Sequence, residues 1–379
     1  MTHAQRPKPH TDEIHMVDLF AGPGGLDVAA HWLGLTVEGV EWDGDAYLTR
    51  EKAGLLTRHK DVRKLGPQDF PDADFRILAG GPPCQTYTIA GTGAGRRALD
   101  DVLKFVKRMA SGNESLESIR ESLRSLNDER TGLVLEPLRW ALDAHRQGRP
   151  YDAIVLEQVP AVLPVWEAYK EALDGIGYKT ADPRVLHTEE YGVPQTRRRA
   201  ILIARRDYVP SFPQATHYRY RKGVPCPEPE SELAFGPGHE PTRHWVSMGS
   251  ALKRNEAFVV RSNYGTGGDP KARGERASTE PAFTVTGKVS RNRLMIDGTD
   301  CGRFEDWEAG RLQTFPRDFP WAGSAVAQQI GNAIPPRLAA HVLAAVLGWK
   351  LKSEQFDAAV EARWTESRDT KPLMPPAAG

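Results

Sequence analysis

At 379 residues, 40% of them hydrophobic and 26% charged, the chain has material for a sizeable core and reads as a globular protein of two or three domains. Three scattered cysteines, Cys84, Cys226 and Cys301, exclude a disulfide framework and a paired-cysteine metal site and suit a reducing cytoplasm. No apolar run near 18 residues and no charged-then-apolar start are evident, so neither a membrane span nor a signal peptide is expected. The formal net charge is +0 but unevenly spread. Residues 196–303 hold 19 Lys/Arg against 11 Asp/Glu, a local +8, the footprint of a phosphate-binding face.

Residues 1–13 are polar and contain Pro7 and Pro9, which predicts a disordered leader. Residues 14–20 read as a buried strand, followed by Ala21-Gly22-Pro23-Gly24-Gly25 and an apolar helix from Leu26 to about Leu33. A strand, a glycine turn and a helix N-terminus let a ligand approach the backbone. The spacing is not G-x-G-x-x-G, and Asp18 would repel a pyrophosphate. A cationic cofactor such as S-adenosylmethionine fits better than a dinucleotide. The second strand, 37–40, ends in Glu41-Trp42-Asp43, where an acidic residue some way past the glycine turn suits a ribose hydroxyl. Trp42 suits adenine stacking or ordinary core. Asp61, after a helix over 47–56, can accept from an adenine amino group.

Phe75-Arg76-Ile77-Leu78-Ala79 is the third buried strand and leads into Gly80-Gly81-Pro82-Pro83-Cys84-Gln85. Two glycines and two prolines forbid a helix and force a rigid turn. Cys84 is thereby presented past the carboxyl end of a strand, where α/β sheets bind ligands and where a thiolate can act as a nucleophile. An inert buried cysteine is the competing reading. Leu99, Val102, Val106 and Met109, then Leu116, Ile119, Leu123 and Leu126, recur at helical spacing, which predicts a helical hairpin over 95–127. Ser111-Gly112-Asn113-Glu114 breaks it and offers a capping box. A helix through Leu138 and Trp140 follows.

Residues 151–156 form another buried strand, ending in Glu157-Gln158-Val159-Pro160, so Glu157 stands at a strand end like Cys84. A helix (165–173), a strand (178–186), the turn Gln195-Thr196-Arg197-Arg198-Arg199 and a strand (200–204) complete a first domain, 14–206. Seven prolines between 207 and 241 exclude long helices and predict a smaller, irregular domain over 207–302 with short strands. Residues 303–350 return to the first domain, with helices around Trp307 and Leu312 and over 338–347. Residues 351–379 are a C-terminal helix and tail, unstructured after about Trp364.

Together these blocks resemble the DNA (cytosine-5) methyltransferases, in the family's order from Asp18 to Pro336. Asp18-Leu19-Phe20-Ala21-Gly22-Pro23-Gly24-Gly25 is similar to the cofactor block, and Gly81-Pro82-Pro83-Cys84-Gln85 to the catalytic block. Glu157-Gln158-Val159 is similar to Glu-Asn-Val, with Gln158 in place of Asn. Gln195-Thr196-Arg197-Arg198-Arg199 is similar to Gln-x-Arg-x-Arg. Arg311 to Pro316 and Gln329 to Pro335 match the last two blocks. The resemblance implies an α/β, Rossmann-like methyltransferase sheet with a smaller target-recognition domain over 207–302. It implies Cys84, Glu157, Arg197 and Arg199 as catalytic residues, with Pro83, Gln85 and Gln195 on the substrate wall. Asp18, Phe20, Gly22, Gly24, Glu41, Trp42, Asp61 and Asn332 are implied as S-adenosylmethionine contacts, with no metal. Double-stranded DNA is the implied partner of a cytoplasmic, nucleoid-associated monomer, in restriction-modification or phage defence with possible partner proteins. An RNA (tRNA) cytosine methyltransferase and a cofactor-bound DNA-binding protein without turnover are the alternatives.

Overall fold

The computed structural model describes residues 11–83, 93–115, 118–119, 121–122, 132–227, 240–262 and 274–367. Eight strands form the central sheet: β1 (Ile14–Leu19), β2 (Thr36–Glu41), β3 (Thr57–His59), β4 (Phe75–Gly80), β5 (Ala153–Gln158), β6 (Lys179–Thr180), β7 (Arg184–His187) and β8 (Arg198–Arg205). The order is β3-β2-β1-β4-β5-β8-β6, with β7 also on β8. The run from β3 to β5 is parallel, and β6, β7 and β8 are antiparallel additions. The single strand expected over 178–186 is thus two short ones.

Alternation along the strands builds two cores, as a sheet covered on both faces requires. Ile14, Met16, Ile77, Ala79, Val155, Ile201 and Ile203 share one cluster with Trp32 and Leu33 of α1 (Gly25–Leu33). Val17, Leu19, Leu78, Ile154, Leu156 and Leu202 face the opposite cluster. There α3 (Gly93–Ser111), α4 (Glu136–Arg146) and α5 (Leu163–Gly175) contribute Val106, Trp140 and Trp166. Between β2 and β3, α2 (Gly44–Ala53) is capped by the Asp43 side chain, which accepts from Ala46 N.

The first arm of the expected hairpin is α3, whose Val102, Val106 and Met109 are buried in the sheet's own core; it is packed onto the main domain. The 111–114 break is held by Glu114 on Arg108 rather than by a capping box. Most of the second arm lies outside the described residues.

Residues 259–300 carry a four-stranded sheet, β10-β9-β11-β12, with β9 (Val259–Arg261), β10 (Glu275–Ala277), β11 (Arg293–Ile296) and β12 (Thr299–Asp300), beside α6 (Met248–Leu252). Its core continues into α7 (Asp306–Leu312) and α8 (Val326–Asn332) through Leu312 and Ile330. The chain returns to the main sheet in α9 (Pro336–Leu347) and ends in α10 (Ser353–Glu361) and α11 (Trp364–Ser367). Residues 326–347 are apolar and long enough for a membrane span, contrary to the sequence expectation. Their most apolar 18-residue window is 89% buried in the fold, and the segment is interrupted by Ala333-Ile334-Pro335, so it reads as core.

Candidate functional site

Register brings the two turns together. Leu19 pairs with Gly80 across β1 and β4, and Gly80 with Leu156 across β4 and β5. β1 and β4 therefore end at one level, and β5 runs on two residues, so the turns after β1 and β4 and the Glu157 end of β5 share an edge. Gly81 N donates to Leu19 O at 3.2 Å. A side chain on Gly80 would meet Leu19 O at 2.8 Å, and one on Gly81 the Glu157 carboxylate at 3.3 Å, so small residues are needed where the turn leaves the sheet. Above this edge lies a cleft of about 940 Å³, lined by Asp18, Phe20, Gly22, Glu41, Pro83, Glu157, Arg197, Arg199 and Asn332 among others.

At the β1 end, Phe20 (φ 60), Gly22 (φ 54) and Gly24 (φ 106) all take left-handed backbone. Such a conformation is free for glycine but costs a bulky residue on the order of 1 kcal/mol or more. Gly22 N donates to Glu41 Oε2 at 2.7 Å and Asp43 N to Glu41 Oε1 at 2.6 Å, which locks the glycine turn to the end of β2. Burial raises the Glu41 pKa against those amide donors. Gly24 ends the turn as the residue before α1, and a Cβ there would strike Leu55 Cδ1 at 2.4 Å. Its role is to let the helix start close-packed; it does not line the cleft. Asn332 does, with its Oδ1 accepting from Gln328 Nε2 at 2.7 Å.

Besides Gly24, two of the expected cofactor contacts stand apart from the lining residues. Trp42 is 62% exposed, with Lys64 5.8 Å from its ring centre. Asp61 caps the turn over Val62–Lys64, accepting from Arg63 N at 2.9 Å and pairing with that side chain.

At the β5 end, Glu157 is buried and its Oε1 lies 2.5 Å from Arg199 Nε, as an ion pair rather than an in-line hydrogen bond. Arg199 Nη1 donates to Arg198 O at 2.8 Å. Burial lowers the Arg199 pKa, with the Glu157 charge opposing. Gln158 Nε2 donates to Pro82 O and its Oε1 accepts from Val159 N, each at 2.5 Å. The departure from Asn thus ties the end of β5 to the turn that carries Cys84. Cys84 and Gln85 themselves lie outside the described residues.

Arg197 is fully buried at the cleft's inner wall. Its Nη1 donates to Val285 O at 2.7 Å, and its Nη2 to Gly331 O at 2.8 Å and Ala333 O at 3.0 Å. Burial, helped by Arg199, pushes its pKa well below the usual guanidinium range. Gln195, expected on the substrate wall, is turned away from it. It donates to Leu312 O at 2.7 Å and Gln313 Oε1 at 2.8 Å and accepts from Val285 N at 2.9 Å. Both residues staple the 282–286 segment to the main domain. The cost of leaving a buried amide or guanidinium unpaired explains the choice of partners.

That staple brings in lining residues the sequence reading missed: Thr284, Thr286, Gly287 and Lys288, with Gln328 opposite. Gly331 is needed here, since a Cβ would meet Gly287 N at 2.1 Å. Beneath the glycine turn lies another pair that was missed. Asp27 on α1 and Arg50 on α2, both 0% exposed, are joined by bonds of 2.8 and 2.7 Å. The one sequence signal for it is Gly39 on β2, whose Cβ would fall 2.0 Å from Arg50 Nη2.

The order and spacing of these blocks decide the family. The sequence pattern of the C-5 cytosine-specific DNA methylases matches residues 14–105, 118–234 and 238–348. The chain belongs to that family. The methylase is 26% identical over 363 residues to Type II methyltransferase M1.HphI of Haemophilus parahaemolyticus, covering 87% of this chain and 86% of the relative. It is 25% identical over 353 residues to Type II methyltransferase M.MthTI of Methanothermobacter thermautotrophicus, covering 86% and 94%. In fold it is similar to the crystal structure of S. pombe Dnmt2 methyltransferase, with a TM-score of 0.55 at 15% identity, covering 88% and 98% of the two chains. The mixed α/β fold with its mostly parallel sheet is therefore shared with that solved methyltransferase.

Proposed function

We propose that this methylase transfers a methyl group from S-adenosylmethionine to C5 of a cytosine extruded from duplex DNA, through a transient bond between Cys84 Sγ and ring C6. The observation that carries the reading is the single cleft holding both the glycine turn with Glu41 and the Glu157–Arg199 pair beside Pro83. The chemistry of the donor set suits a cationic nucleoside: acidic Asp18 and Glu41, a tight glycine turn and the Asn332 amide. Asp18, Phe20, Gly22, Glu41 and Asn332 would hold it. When bound, S-adenosylmethionine supplies an electrophilic methyl on sulfur.

Cytosine C5 is too weak a nucleophile to accept that methyl unaided. Addition of the Cys84 thiolate to C6 moves the ring's electron pair toward C5, with Glu157 hydrogen-bonded at N3 and the exocyclic amine. Arg199, paired with the Glu157 carboxylate, would also bind the ring's O2. After transfer, loss of the C5 proton to a base and departure of the Cys84 thiolate restore the aromatic ring. Gln158 holds the turn that presents the sulfur, and Arg197 holds the wall. The target carbon is unreachable inside a duplex, so the base must be unstacked at roughly a few kcal/mol. The basic stretch over 196–303 supplies phosphate and guanine contacts. Type II names among the relatives support a place in restriction-modification or defence.

The test uses duplex DNA containing 5-fluorocytosine, with labelled S-adenosylmethionine. The wild type forms a denaturation-resistant complex with it, and Cys84→Ser forms none. Methyl transfer to tRNA but not to duplex DNA would overturn the substrate assignment. Bisulfite sequencing of DNA from expressing cells then reads which cytosines are marked.

A further inference from the structure

We propose that Asp18 carries a proton in the free methylase and gives it up to solvent when the cationic cofactor binds, so that cofactor affinity is linked to pH through this one carboxyl. The inference rests on S-adenosylmethionine being the cofactor. It starts from a count of charges under the cleft. Asp18 on β1, Asp27 on α1 and Glu41 on β2 face one another, and Arg50 on α2 is the cation that reaches them. Asp27 takes the guanidinium through two bonds of 2.8 and 2.7 Å. Glu41 spends its two oxygens on the amides of Gly22 and Asp43. Asp18 is left over.

Its carboxyl is 1% exposed, lines the cleft, and has no donor for either oxygen. Its strand neighbours are Gly39 and Ala79, which offer no polar side chain. The Arg50 guanidinium occupies the space above Gly39, yet its bonds go to Asp27, Thr57 and the backbone. As a carboxylate, Asp18 would be a second buried negative charge with both acceptors unmet. As a carboxylic acid it has one donor, and Asp27 is the acceptor facing it. Burial and the Asp27 charge both push its pKa well above the ordinary carboxylate value, with Arg50 opposing.

A cation entering the cleft reverses this balance. S-adenosylmethionine brings a sulfonium and an ammonium, and either of them near Asp18 favours the ionised form. The O–H bond of Asp18 breaks, its electron pair stays on the carboxylate, and the proton goes to the buffer. In the window between the free and bound pKa values, affinity rises with pH, approaching tenfold per unit for one proton released.

The experiment is titration calorimetry of S-adenosylmethionine into the full-length protein from pH 5.5 to 8.5, in pairs of buffers with different ionisation heats. The cofactor's own amino group titrates as well, so the quantity read is the difference between wild type and Asp18→Asn. The Asn amide keeps a hydrogen to donate to Asp27. The expected result is close to one more proton released by the wild type within that range, with Kd falling as pH rises, and a Kd in Asp18→Asn that lacks this extra pH dependence. Binding with equal proton exchange in the two proteins, or wild-type binding with a flat pH profile, overturns the proposal. Absence of any binding heat together with absence of equilibrium binding of labelled cofactor overturns the cofactor assignment and the linkage with it.

Discussion

Replacing Arg50 by Met leaves the Asp27 carboxylate buried without its partner. The two side chains are 0% exposed and meet at 2.7 Å, and Arg50 also donates to Thr57 Oγ1 at 2.9 Å and Leu56 O at 3.3 Å. At an effective dielectric near 20, two charges about 4 Å apart attract by about 4 kcal/mol. Breaking one partner of a buried pair typically costs about 3–5 kcal/mol, because the orphaned charge cannot regain water. Methionine fills most of the same volume, so little is added for a cavity. The expected loss is therefore about 3–5 kcal/mol, a large share of the roughly 5–15 kcal/mol by which proteins are stable. Urea unfolding reads it as a lower midpoint at unchanged slope. The double variant Asp27→Leu/Arg50→Met removes the orphan and should recover at least half of the loss. A single variant losing less than about 1 kcal/mol, or a double variant no better than the single, would refute the reasoning that this pair is held by mutual compensation.

Three further outcomes follow from the geometry. Gln158→Ala frees Pro82 O from its 2.5 Å donor; loss of one such bond is worth about 1 kcal/mol. Single-turnover methyl transfer should slow roughly fivefold with S-adenosylmethionine affinity unchanged, and Gln158→Asn should recover part of it. Glu157→Gln removes the carboxylate proposed to meet the ring and leaves Arg199 without its counter-charge. It should lower the methyl-transfer rate by roughly 10²–10⁴-fold, checked against an unchanged cofactor Kd. Glu189, beside the turn that carries Gln195, is buried and its pKa is raised to about 7 by desolvation. His187, 3.7 Å away, is pushed down to about 4 by its own burial, so it is neutral where Glu189 ionises. At Glu189 the folded state then binds more protons than the unfolded state between about pH 4.5 and 7, so this residue's contribution to stability falls as pH rises through that window, while neutral His187 contributes in the opposite sense as pH rises toward 6.5. Glu189→Gln should leave stability near that of wild type below pH 4.5 and exceed it by roughly 2–4 kcal/mol at pH 8, measured by denaturant midpoints at the two pH values.

Much of the main domain was legible because its signals are local. Short apolar runs in 14–19, 75–80 and 153–158 mark strands buried on both faces. Gly22-Pro23-Gly24-Gly25 can only be a turn before a helix, and the helices around Trp166 and Leu343 repeat at their own period. The expected strand over 178–186 split at Ala181-Asp182-Pro183, where proline cannot donate to the ladder.

What residues do once folded was less legible. Trp42 reads as a stacking residue or as core, and the exposure of its ring depends on how α2 and the Val62–Lys64 turn lie around it. Gln195 and Arg197 sit in one motif, yet Gln195 is consumed by Leu312, Gln313 and Val285. Those partners lie about a hundred residues away, and no periodicity announces them. The same holds for Asp27 and Arg50, ordinary helix residues until packing takes them out of water. By itself, then, the order of residues determined the strands, the turns and the blocks that place this chain among the cytosine methylases, because turn chemistry and hydrophobic period act over a few neighbours. Which polar side chains face the cleft and which hold its walls was decided by tertiary structure, since a buried polar group must find its partner wherever the fold brings one within about 3 Å.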